Sequence, residues 1–393
     1  MKISAVIAEY NPLHRGHAYH MAKTRRQTGC DALIVLMSGN FVQRGEPAVF
    51  DKWMRARLAL RTGADMVIEL PVSYACASAE RFAMGAVRIL NGLHCIDALS
   101  FGSEAADLSL LQELAGMLAE EPPVYQAALA DALSQGLSFP AARSRAVQAV
   151  FPHPEVRDIL ASPNAILALE YLKALKKTGS AIRPVVIPRR GSQYLAEGLD
   201  GEFSSALAIR RALREGREAE AALTEPPEFY PPPVFPDSLS LPLLYALRSA
   251  APGELSQIYG MAEGLENKLA AASKTARNRE ELLTAMKSRR HPYTRLSRLL
   301  LACFFGITTG QIQSIDAQPP YARVLGIRQE RRDLLSHLAQ HSRIPVITQP
   351  REDRLSPGLA LDIRASDLYG LLCRPIQPAG RDYTQGLLIE PPR

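Results

Sequence analysis

One stretch, Lys2–Gly29, narrows the fold more than any other. Ile3, Ala5, Val6, Ile7 and Ala8 make a short, nearly uninterrupted apolar run, the pattern of a central parallel strand covered on both faces. Glu9-Tyr10-Asn11-Pro12 ends the run with turn chemistry, and helical spacing resumes near Gly16. The loop carries His14-Arg15-Gly16-His17, two histidines around a glycine at a helix start. Unpaired N–H groups and the positive end of the helix dipole make such a place an anion site. Gly16 lets a flat ring or a phosphate approach the backbone. His14 and His17, three apart, can face one point and donate hydrogen bonds to phosphate oxygens. The residues read as a phosphate-chemistry loop; a helix cap beside a surface histidine is the competing reading.

Further apolar runs follow at strand length: Asp31–Met37, Asp65–Leu70, Ile96–Phe101 and Ile182–Pro188. Helical spacing fills Asp51–Arg61 and Ala79–Leu90 between them. Strands separated by helices imply right-handed crossovers and an α/β, doubly wound parallel sheet, which binds ligands at the carboxyl ends of its strands. The loops expected at that edge are His14–His17, Ser38–Gly45, Gly102–Glu104 and Arg189–Gly191. Gly102 would let a ligand come close to the backbone, and Arg189 or Arg190 could clamp phosphates.

A long helical insertion, Ala105–Lys177, separates the fourth and fifth strands; Ser162-Pro163-Asn164 reads as a cap before the helix Ala165–Leu175. Ser204-Ser205-Ala206 likewise reads as a serine cap, on a helix carrying Arg210-Arg211. Glu225–Asp237 is too rich in proline for a helix or sheet interior and reads as a stiff linker. It divides a catalytic part, 1–224, from a mainly helical part, 238–393. In the latter, Leu239–Ala250, Leu255–Ala272, Glu280–Lys287 and Leu296–Phe305 have helical spacing. Arg323–Ile347 and Leu361–Cys373 suggest a final α/β piece packed back on those helices.

Charge supplies the partner. The net charge of +6 is modest, but basic residues concentrate in Lys274–Arg298, which points to an anionic partner. There Arg289, Arg290, Arg295 and Arg298 accompany His291 and Tyr293; arginines neutralise phosphates while an aromatic ring stacks on an unpaired base. A solvated helix face is the plainer alternative. Neither a spanning apolar run nor a signal pattern is present, and Cys30, Cys76, Cys95, Cys303 and Cys373 stand singly. Those features fit a reducing cytoplasm and no membrane partner, disulfide frame or zinc site.

The loop His14-Arg15-Gly16-His17 after a first strand resembles the HIGH-type nucleotidylyltransferases, which adenylylate substrates from ATP. Longer wording narrows the likeness: AEYNPLHRGHAYH, MSGNFVQRGEPAVFDKW, GADMVIELP, SPNAILALEY and KSRRHPYTRLSRLLL. Together these are similar to the bacterial tRNA(Met) cytidine acetate ligase family over most of the chain. The resemblance implies an ATP site built from Ile7-Ala8-Glu9-Tyr10-Asn11-Pro12-Leu13-His14-Arg15-Gly16-His17-Ala18-Tyr19-His20, Gly102, Asn164 and one of Arg189 and Arg190. The family's arginine segment has an apolar second position and a later glycine where this chain has Arg190 and Gln193, so the contacting arginine stays open.

The implied chemistry is attack of acetate on the α-phosphate of ATP, with His14 and His17 as the catalytic pair. The acetyl group then passes to N4 of the wobble cytidine of elongator tRNA(Met), which must be turned out of its stack. Mg²⁺ would accompany the triphosphate without a protein cage. Arg44 and Lys52, in the Ser38–Trp53 loop, are expected near the small acid and the cytidine, or else as surface charges. Arg289, Arg290, Tyr293, Arg295 and Arg298 are expected to hold the tRNA, and no DNA partner is implied. The alternatives are a metabolic adenylyltransferase making a nucleotide cofactor, and an RNA-binding module whose nucleotide site has lost its chemistry.

Overall fold

The computed structural model describes residues 1–105, 107–188, 204–262, 264–288 and 291–392. β1 (Ile3–Ala8) and β2 (Ala32–Ser38) are followed by a small hairpin, β3 (Phe41–Val42) and β4 (Glu46–Pro47). Then come β5 (Met66–Leu70), β6 (Ala98–Ser103) and β7 (Arg183–Pro188), and late in the chain β8 (Ala322–Arg328), β9 (Val346–Ile347) and β10 (Leu388–Glu390). All except the hairpin join one sheet in the order β10-β8-β5-β2-β1-β6-β7, with β9 beside β8. The pairings β1–β2, β1–β6, β2–β5 and β6–β7 are parallel, whereas β8 runs antiparallel to β5.

The apolar runs form strands because both sheet faces are covered. All of β2 and β5 is buried. Ile3, Ala5, Ile34 and Ile68 pack on the helices Ala79–Leu93, Leu108–Glu120 and Pro163–Lys177, while Val6, Leu33, Val35 and Val67 face Met21, Trp53 and Leu60 on the other side. Successive strand residues point to opposite faces, so one apolar run feeds two cores. The chain order places the switch point between β1 and β6, where β2 leaves to one side and β7 to the other.

Three expectations need correction. The final α/β piece divides: Leu361–Cys373 packs on the helices as expected, but β8 and β10 leave that unit and extend the first sheet beyond β5. The stretch read as one helix over Leu255–Ala272 is two, Pro252–Gln257 and Leu265–Thr275, because Gly260 and Gly264 take left-handed backbone between them. Thirdly, the segment after β2 contains the hairpin, whose Phe41 is buried in the helical core with Phe304 and Phe305. Glu225–Asp237 is packed along its course. Glu225 pairs with Arg61 at 3.0 Å, Tyr230 stacks on Phe50, and the Val234 N–H donates to the Val49 carbonyl at 2.8 Å.

Candidate active site

The crevice beyond β1 and β6 gathers the predicted loop. Tyr10 turns the chain there with φ of 50°, rare for a residue with a side chain, and its buried ring meets His17 edge-on at 4.9 Å. His14 is the N-cap of the Arg15–Thr28 helix: the Gly16 N–H donates to its Nδ1 at 3.1 Å. The His14 N–H in turn donates to His17 Nδ1 at 3.3 Å, a reciprocal capping box. The two rings lie 3.8 Å apart. With Nδ1 accepting in both, the neutral rings carry their protons on Nε2. Gly16 is required because a Cβ there would sit 2.9 Å from the His14 ring. The cap therefore fixes how both rings are turned.

The other predicted positions are spread along the same edge of the sheet. Gly102 lies at the end of β6, and Asn164 begins the Pro163–Lys177 helix beside it. Glu104 links them: it accepts from Asn164 Nδ2 at 2.6 Å and from the Ala165 N–H at 3.1 Å. Ile7, Ala8, Arg15, Gly16, Ala18 and Tyr19 are half-buried or exposed around the crevice. Asn11, Pro12 and Leu13 are buried behind it, Asn11 accepting the Val49 N–H through Oδ1 at 2.7 Å. His20 faces the sheet, with Nε2 3.2 Å from Ser100 Oγ. Arg189 and Arg190 lie outside the described residues.

Two arginines organise the loop without having been assigned a role from the sequence. Arg55, fully buried, donates to the carbonyls of Glu9 at 2.7 Å and Ser38 at 2.9 Å, and also to that of Gly39. Its signal is an arginine inside the otherwise apolar face of KWMRARLAL. Arg210 donates to the Asn11 carbonyl at 2.6 Å from the Ala206–Arg214 helix, which Ser205 caps by accepting the Ala208 N–H.

Lys52 is neither a surface charge nor exposed at the crevice. It is fully buried, with Nζ 2.9 Å from both Glu69 oxygens and 2.6 Å from Asp382. Arg44 is half-buried on the hairpin, close enough to Glu9 to act on its charge.

The β3–β4 hairpin is clamped from the helical part. Ser297 Oγ donates to the Gly45 carbonyl at 2.8 Å, and Arg298 donates to the Gln43 carbonyl at 3.3 Å. Arg279 reaches Ser297, and its guanidinium lies 5.9 Å from the Tyr293 ring centre. Tyr293 donates to Glu280 at 3.0 Å, and Arg295 contacts His291 Nδ1 at 2.8 Å. Tyr293 and Arg298 thus have internal duties that charge patterning did not disclose. Arg289 and Arg290 lie outside the described residues.

Gly45, with φ of 74°, sits where a Cβ would fall 2.5 Å from the Arg298 backbone nitrogen. Gly45→Ala should therefore cost roughly 1–3 kcal/mol through strain and undocking. Urea unfolding with amide exchange over 41–47 checks it; an unchanged midpoint with unchanged protection would reject the clamp.

Among the described residues no group of three or more potential ligands is placed to hold a metal ion, and no helix is long and apolar enough to cross a membrane.

The model of the HIGH Nucleotidyl Transferase family matches residues 1–384. A Thermoanaerobacter protein named tRNA(Met) cytidine acetate ligase is 41% identical over 402 residues, covering 99% of this chain and 100% of its own. A protein of the same name from Acetivibrio thermocellus is 37% identical over 414 residues, at 99% and 100% coverage. The crystal structure of Thermotoga maritima TmcAL bound with alpha-thio ATP superposes with a TM-score of 0.90 at 32% identity, covering all of both chains.

Proposed function

This chain belongs to the HIGH nucleotidyl transferase family, and from that premise we propose that it is an ATP-dependent tRNA(Met) cytidine acetate ligase. It activates acetate as acetyl-adenylate and transfers the acetyl group to N4 of the wobble cytidine of elongator tRNA(Met). The observation that carries the proposal is the full-length likeness to proteins of that name, in a chain whose two histidines stand capped at the switch point. A metabolic adenylyltransferase would not account for that likeness.

In the first step an acetate oxygen attacks the α-phosphorus and the bond to pyrophosphate breaks. The protein's part is to stabilise charge, since the substrate is itself the nucleophile. His14 and His17 donate from Nε2 to the phosphate oxygens. Gly102 and Asn164 hold the nucleoside on the β6 side, with one of Arg189 and Arg190 on the departing phosphates. Mg²⁺ would accompany the triphosphate and offset its negative charge. The reaction belongs in the cytoplasm, where ATP and tRNA meet.

The second step requires the tRNA beside the hairpin. The segment 287–298 leads into the helix on which the hairpin is docked, so phosphates held by Arg289, Arg290 and Arg295 would bring an extruded base towards Gln43 and Arg44. Replacing Arg289 and Arg290 together should weaken tRNA binding and reduce its salt slope by about 2, with acetate-dependent ATP turnover retained. Parallel loss of both activities would undo this division of labour. The whole reading is tested with purified protein, ATP, labelled acetate and bacterial tRNA followed by nucleoside analysis. Label should appear as N4-acetylcytidine; pyrophosphate release with no label in RNA would reject the tRNA assignment.

A further inference from the structure

The side chain of Glu9 lies on a different face from the histidines. Ile3, Ala5 and Ile7 point to the core covered by the Pro163–Lys177 helix, and the period of two carries Glu9 to that side at the end of β1. His14 and His17 belong to the helix on the opposite face, whose Met21 packs with Val6. Glu9 is half-buried, and its Oε1 accepts the Gln43 N–H of the hairpin at 2.8 Å. Among the described residues its second oxygen accepts no hydrogen bond and neither oxygen forms an ion pair, although Arg44, Arg55 and Arg210 stand near enough to act on its charge. Cys76 and Tyr171 share the same space. Burial pushes both groups up, and the Glu9 charge adds to that.

A half-buried carboxylate with one oxygen anchored and the other open to a partner is suited to a substrate that brings a hydrogen-bond donor. The adenylate brings none at its reacting carbonyl. Cytosine does: its exocyclic N4 amine is the donor that carboxylates recognise. That amine must also lose a proton as it becomes an amide.

Resting on the tRNA(Met) cytidine reading above, we propose that Glu9 is the catalytic residue of the transfer step: it accepts a hydrogen bond from the cytidine N4 amine and takes its proton. N4 attacks the acetyl carbonyl carbon, a C–N bond forms, the C–O bond to the adenylate phosphate breaks, and AMP leaves with that electron pair. The N4 proton ends on the Glu9 carboxylate, and the products are N4-acetylcytidine, AMP and neutral Glu9. Burial, partly offset by the Gln43 hydrogen bond and by Arg210, Arg44 and Arg55, holds this carboxyl above its ordinary range, nearer the working pH of a base. The same oxygen would face the acceptor O4 of a uridine, so it also favours cytidine.

The test isolates transfer. Enzyme preloaded with acetyl-adenylate is mixed with tRNA in a single turnover, and N4-acetylcytidine is followed against pH. The unsubstituted enzyme should speed up as pH rises through the Glu9 titration and then level off, because the ionised form is the base. Glu9→Gln still accepts the Gln43 N–H, and should transfer about 10²-fold more slowly or worse with the pH rise gone. Glu9→Asp should restore the rise at a reduced rate. A Glu9→Gln rate within a few-fold of the unsubstituted enzyme, or pH-independent transfer by the unsubstituted enzyme, would overturn the role of Glu9. Absence of any acetyl-adenylate on the unsubstituted enzyme would overturn the functional reading itself, and this one with it.

Discussion

His17→Ala should lower acetate-dependent ATP–pyrophosphate exchange by about 10²–10³-fold, the usual cost of losing one donor to a developing oxyanion. The argument rests on which nitrogen is engaged. The His14 N–H donates to His17 Nδ1 and the Gly16 N–H donates to His14 Nδ1, so each ring is oriented by a neighbouring backbone N–H and in its neutral form presents Nε2 as the proton-bearing atom. Such donors need no reorganisation when charge builds on the α-phosphate, which is where their advantage over water lies. His14→Ala should lose a similar factor in rate and also about 0.5–2 kcal/mol of stability, because it removes the N-cap. Both substitutions remove one hydrogen bond of the capping box, so both should lower the unfolding midpoint, His14→Ala more because His14 is the N-cap itself. The rate loss of His17→Ala should far exceed what that stability loss explains. If His17→Ala exchanged pyrophosphate within about 10-fold of the unsubstituted enzyme, the histidines would be a cap and no more.

What the sequence disclosed here follows from the range of the forces involved. β1, β2, β5 and β6 are legible because a buried parallel strand must be apolar on both faces, β7 because Val185, Val186 and Ile187 keep a short apolar run at the sheet's edge, and the histidine loop because its cap is built from residues three apart. The hairpin was not, since its turn is held at Gln43 and Gly45 by Arg298 and Ser297, some 250 residues away. The same holds for β8 and β10, whose pairing with distant strands leaves only short apolar runs in the sequence. Lys52 misled for a related reason. A lysine in a polar loop reads as exposed, and nothing local announces the carboxylates of Glu69 and Asp382 that neutralise it.

Lys52→Met should destabilise the fold by about 3–5 kcal/mol at neutral pH, the cost of leaving buried charge uncompensated. Lys52 Nζ lies between Glu69 and Asp382, all three with side chains at most 3% exposed. Arg323 also reaches Asp382 at 2.6 Å, but it approaches Glu69 no closer than 3.7 Å. Removing the ammonium therefore leaves two carboxylates sharing one guanidinium. The effect has a defined pH dependence. Burial alone would raise the Asp382 carboxyl, but the Lys52 and Arg323 charges outweigh it and hold the group below its ordinary range. A depressed carboxyl gives its full stabilisation above the unfolded-state value, about 3.9, and loses it as pH falls through the lower folded value. In Lys52→Met that depression shrinks, so the deficit should be greatest at neutral pH and narrow in acid, where a carboxyl can protonate instead. Nearby Asp362, pushed up to about 7 by burial and the Glu69 charge, should rise further once Lys52 no longer offsets that charge. Adding Glu69→Gln to Lys52→Met should recover much of the loss, because the deficit comes from unpaired charge and not from missing volume. Urea unfolding of the two variants at several pH values is the measurement. A Lys52→Met deficit that stayed constant from acid to neutral pH, and that Glu69→Gln did not relieve, would mean that Lys52 serves the core by packing alone.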